Sequence, residues 1–105
     1  MNNSALNDNE RDQLTDLLAT LIRFPSPDPP GNEAEIAPFL ANYLTDLGLD
    51  VETDAFAPDR INVIARLRGK AAGPALVFSA HMDTMPIGDS AWVHDPFGAE
   101  IINNQ

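Results

Sequence analysis

Apolar residues recur at steps of three and four at Leu14, Leu17, Leu18, Leu21 and Ile22, the stripe of an amphipathic helix predicted over residues 10–24. A second stripe, Ile36, Phe39, Leu40, Tyr43, Leu44 and Leu47, predicts a helix over 32–47. It opens at Asn32, with Glu35 three residues on, and stops at Gly48. Pro38 lacks a donor and crowds the carbonyl four residues back, so this helix is expected to start late or bend there. Between the stripes lies PSPDPPG, Pro25 to Gly31, whose four prolines restrict the backbone and predict an extended loop. The first nine residues carry no pattern and are expected to form a disordered tail.

After Gly48 the period falls to two. DVETDAF and INVIARLRG, with a Pro58-Asp59 turn between them, predict a hairpin over 50–69. ALVFSA is apolar on both faces and predicts a central strand over 75–80, covered on either side. The link before it, GKAAG, is too short for a parallel crossover, so antiparallel pairs are expected. A last strand-like piece, AEII, falls at 99–102. The expected fold is α/β, with two amino-terminal helices and a mixed β-sheet around one core.

Composition narrows the function classes. Sixteen acidic against six basic residues in 105 give a net charge of −10, which repels nucleic acid and anionic membrane surfaces. Cysteine is absent, so a transition metal would have to be held by nitrogen and oxygen. The start lacks the basic and apolar regions of a signal peptide and no run is long enough to span a bilayer, which makes a cytoplasmic address the default expectation.

The candidate chemistry lies in SAHMDTMP, at the exit of the expected central strand. In an extended backbone, residues two apart point to the same side, so His81 and Asp83 present their side chains together. The carboxylate can bind the same metal as the imidazole, or accept the proton of the far ring nitrogen and make the near one a better ligand. Both uses suit zinc, and the exit of a central strand is where open α/β sheets form ligand crevices. Against this stands the plain reading of a surface pair or a loop hydrogen bond.

Taken together, LIRFPSPDPPGNE, NVIARLRG, SAHMDTMP and AWVHDPFGAEI resemble, in order and spacing, the amino-terminal part of the catalytic domain in one metallopeptidase family. That family comprises aminoacylase, acetylornithine deacetylase and succinyl-diaminopimelate desuccinylase, and the likeness runs from about Arg11 to the end. The resemblance implies an incomplete zinc-dependent exopeptidase-like domain in which 81–98 is the metal-site loop, the rest of the domain and a smaller second one lying outside the chain. It implies His81 as a ligand to one of two zinc ions, which cobalt or manganese could replace, and Asp83 as the catalytic-site acid that orients it. Thr84 and Pro86 would shape the floor of the site, and Trp92, Asp95, Pro96 and Phe97 would anchor a loop by burying aromatic rings. His94 matches no ligand position and reads as an exposed loop histidine.

The implied reaction is metal-assisted hydrolysis of an N-acyl or peptide amide bond in a small acylated amino acid or peptide. A catalytic zinc wants three protein ligands, so the chain alone is expected to be inactive. The same reading leaves a sheet edge unpaired, and self-association is expected there. A different class, a non-catalytic acidic interaction module descended from such an enzyme, is the alternative.

Overall fold

The computed structural model describes residues 5–105, and in contact terms the chain forms two units, Met1–Pro25 with Ile87–Gln105, and Ser26–Pro86. The expected tail at 1–9 lies partly outside the described residues. Within them, α1 spans Asp8–Ile22 and so takes in Asp8 and Asn9, which the sequence reading left in the tail. The reason is a capping box. The Asn7 side chain accepts from the Glu10 backbone N–H at 2.9 Å, and the Asn7 backbone N–H donates to Glu10 Oε2 at 2.8 Å. Asp8 and Glu10 also place negative charge at the positive end of the helix dipole. No residue of α1 is fully buried, and Leu14 and Leu18 lie exposed.

The second unit is built on α2, Ile36–Asp46, and a hairpin of β1, Asp50–Ala57, and β2, Arg60–Arg66. The helix starts late, as Pro38 demands. Proline then falls in the first turn, where its missing N–H is one of those the helix leaves unpaired anyway. Asn32 does not cap it. Its side chain accepts instead from Ala34 N–H at 3.0 Å, an Asx turn two residues long. At the other end Gly48 adopts φ +89, its N–H bonds Thr45 O and the Leu49 N–H bonds Leu44 O, the paired contacts of a Schellman stop.

The two strands pair antiparallel, from Asp50 opposite Arg66 to Ala57 opposite Arg60, with a bulge at Phe56. Along β2, Ile61, Val63 and Ala65 are half-buried while Asn62, Ile64 and Arg66 are exposed, and α2 packs on both strands. The small core centres on Ile36 and Ala37.

Two expected strands are corrected. Residues 75–80 form no ladder, and Leu76, Val77 and Phe78 stand out into solvent, Phe78 at 88% exposure. A strand is stabilised by a neighbour's hydrogen bonds, and no described strand lies beside this one to supply them. Among the described residues the sheet is accordingly two-stranded and antiparallel, not mixed. Residues 99–102 likewise stay out of any sheet: Ala99 has φ +52, and Ile102 and Gln105 exchange backbone hydrogen bonds in a turn.

Candidate functional site

The candidate site belongs to the Ser26–Pro86 unit and starts from its proline-rich loop. Within this loop Ser26 and Gly31 are buried while Pro29 and Pro30 are exposed. Ser26 is 1% exposed and its hydroxyl donates to Met82 O at 2.8 Å. The Thr84 N–H donates to Ser26 O at 3.0 Å and the Asp28 N–H to Thr84 O at 2.9 Å, which joins Pro27 and Thr84 in an isolated parallel bridge. The loop is not extended throughout, as its prolines suggested: it closes one turn on itself, Gly31 N–H to Pro27 O at 2.9 Å, and before that turn the backbone groups of Ser26 and Asp28 serve Thr84.

His81 and Asp83 are carried on that clamped segment. The His81 ring is 83% exposed, but its Nδ1 lies 2.6 Å from the Asp83 backbone oxygen and 3.2 Å from Asp83 Oδ1. Both oxygens are acceptors, so Nδ1 carries a hydrogen, and the neutral form that fits these contacts has its lone pair on Nε2. The pair predicted from the two-residue spacing is therefore formed, with the tautomer that a metal ligand or an acceptor through Nε2 requires. Among the described residues no group of three or more His, Asp or Glu side chains is placed to hold a metal ion.

The sequence reading missed what stands behind this pair. Arg60, the first residue of β2, donates from Nε to Glu33 Oε2 at 2.9 Å and reaches Asp28 Oδ2 from both terminal nitrogens at 3.4 Å. Its guanidinium carbon also lies 5.7 Å from the centre of the Phe56 ring. Glu33 is 4% exposed and its backbone N–H bonds Asp59 O at 2.7 Å. Desolvation pulls the pKa of Arg60 down, but the Glu33 hydrogen bond and the charges of Glu33, Asp28 and Asp83 outweigh it and raise it. One signal was available in the sequence: a chain with six basic residues has few cations to match an acid that folds inside.

The other unit holds the second histidine. His94 Nδ1 lies 3.1 Å from Glu100 Oε2, both side chains exposed, beside an open cavity of about 520 Å³ lined also by Trp92 and Asp95. Neither His81 nor Asp83 lines it. Of the two aromatic rings expected to anchor this loop, Trp92 is 56% exposed and Phe97 is half-buried. Hydrogen bonds also tie the loop, from Trp92 Nε1 to Ile87 O at 3.2 Å and from the Phe97 N–H to Asp95 Oδ1 at 2.9 Å.

Comparison with known proteins agrees with the motif resemblance. Over 90 residues, 81% of the chain, it is 43% identical to a succinyl-diaminopimelate desuccinylase of Methylorubrum populi. It is 41% identical over 87 residues to the succinyl-diaminopimelate desuccinylase 1 of a Ruegeria species. Over 91 residues it is 32% identical to N-formyl-4-amino-5-aminomethyl-2-methylpyrimidine deformylase of Bacillus subtilis. No family model matches the chain, and no solved structure matches it. The chain belongs to the aminoacylase, acetylornithine deacetylase and succinyl-diaminopimelate desuccinylase family, of which it represents an amino-terminal part. It spans 22% of the length of the desuccinylases and 21% of that of the deformylase.

Proposed function

We propose that this chain contributes one ligand arm to a zinc-dependent hydrolase that removes an acyl group from the nitrogen of a small amino acid or peptide. The observation that carries the reading is the His81–Asp83 pair, pinned by Nδ1 so that Nε2 is presented bare on a clamped segment. Its support is the company the chain keeps, since the similar proteins are by name desuccinylases and a deformylase. His81 would hold the metal through Nε2, and Asp83 would fix the ring and its tautomer. A bound zinc would lower the pKa of a water and polarise the scissile carbonyl, and cobalt or manganese would fit the same nitrogen and oxygen donors. Ser26 and Asp28 keep the segment still, so that Nε2 does not wander with the loop. Pairing of copies along residues 75–80 is a further part of this reading.

One nitrogen and one orienting carboxylate fall short of the three ligands a catalytic zinc needs, so the 105-residue chain should bind zinc weakly and turn nothing over. The experiment is a zinc titration of the chain labelled with 15N at histidine. The His81 Nε2 resonance should shift at millimolar metal, and His81→Asn should abolish the response. A shift confined to His94 would sink the proposal. Release of succinate from succinyl-diaminopimelate by the chain with added zinc would refute the inactivity of the isolated chain.

A further inference from the structure

The most heavily partnered side chain around the loop is one that the proposed reaction does not use. Arg60 ties two pieces remote in sequence, its own hairpin and the loop that carries Asp28 and Glu33. These contacts bracket Gly31, which adopts φ +79 and lies so close to the guanidinium that a Cβ there would have to push it aside. The loop is thus fastened to the hairpin at 28–33 and to residues 82–84 at 26–28. Asp28 belongs to both fastenings, through its carboxylate to Arg60 and through its backbone N–H to Thr84 O. The guanidinium fork is planar and rigid, so the two carboxylates it holds take fixed positions.

We infer that Arg60 is a positioning residue for the His81–Asp83 pair, holding through Asp28 and Glu33 the loop on which residues 82–84 hang, and so selecting the His81 tautomer that leaves Nε2 bare. The usefulness of that tautomer rests on the ligand reading above, whereas the bracing itself does not. Arg60 touches neither metal nor substrate in this scheme. Its effect passes by way of the Asp28 N–H to Thr84 O contact and the Ser26 hydroxyl on Met82 O, either side of Asp83.

The test uses the whole chain, labelled with 15N at histidine, without metal and at a pH alkaline enough to keep imidazole neutral. In the wild type, His81 Nδ1 should resonate as the protonated nitrogen and Nε2 as the bare one. Arg60→Met keeps a long stem and removes the fork. It should erase that preference, with the Nδ1 resonance moving towards the bare position, while His94 stays where it was. Arg60→Lys, whose ammonium can serve Glu33 or Asp28 but not both well, should restore part of it.

A wild-type ring without the preference overturns the inference, as does an unchanged His81 in folded Arg60→Met. An equal loss in Asn7→Ala, which weakens α1 and leaves the loop untouched, does the same. If Arg60→Met does not fold, Asp28→Asn decides, because it removes the carboxylate charge that faces Arg60 and keeps the N–H to Thr84: a moved His81 resonance supports the inference and an unmoved one overturns it. No metal enters these spectra. A His81 that ignores zinc yet responds to Arg60→Met would remove the hydrolase reading and leave the brace standing.

Discussion

The loop at 25–33 and the run at 75–78 invert the usual expectation. The first is proline-rich, polar and acidic, and it contains the buried Ser26, Gly31 and Glu33. The second is Ala-Leu-Val-Phe, and all four residues are exposed. Hydrophobicity gives a segment a reason to be buried, but burial also needs a surface to be buried against. The loop has one on each side, in the hairpin turn and in residues 82–84, and its polar groups find partners there. The apolar run has no described strand beside it, and its side chains remain in water.

If that contrast is correct, the largest damage comes from a side chain where the loop has no room. Gly31→Val combines a positive φ that a β-branched residue tolerates poorly with a collision against Arg60. It should destabilise the chain by about 2–4 kcal/mol, read as a lower urea midpoint at unchanged slope. A midpoint within error of the wild type would mean the loop is not clamped. Next comes Ser26→Ala, which removes the donor to Met82 O in a buried position and should cost about 1–2 kcal/mol. Its amide spectrum should change at residues 81–84 before it changes at α2, and a uniform change across the unit would deny the local clamp.

Much of the fold was legible because it depends on neighbours in sequence. The stripes of α1 and α2, the Pro58-Asp59 turn, the Gly48 stop and the two-residue spacing of His81 and Asp83 are all local patterns. What escaped was long-range. The Ser26 hydroxyl meets a carbonyl 56 positions away, and Arg60 meets Glu33 across 27, distances over which no periodicity speaks. The run at 75–78 misled for the complementary reason, since its composition is right for a central strand and only the neighbour is wanting. Asn7 and Glu10, three residues apart, are a local signal as well, but they lie ahead of the apolar stripe, which begins at Leu14. Asn7→Ala should therefore cost about 1 kcal/mol, seen as fraying of the first turn of α1 in amide exchange.

The smallest effect on folding should come from the most hydrophobic change. Phe78→Ser removes an aromatic ring that in most proteins would be worth several kcal/mol in the core, yet here the ring is already in water. Its unfolding free energy should move by no more than about 0.5 kcal/mol. A solvated ring on an unpaired edge does matter to association, because burying it against a second copy would recover what the monomer leaves exposed. If copies pair along this run, as proposed, the same variant should sediment as a monomer at concentrations where the wild type forms larger species. Loss of stability without a change in sedimentation would show that Phe78 packs within its own chain, and the contrast between the two regions would then be false.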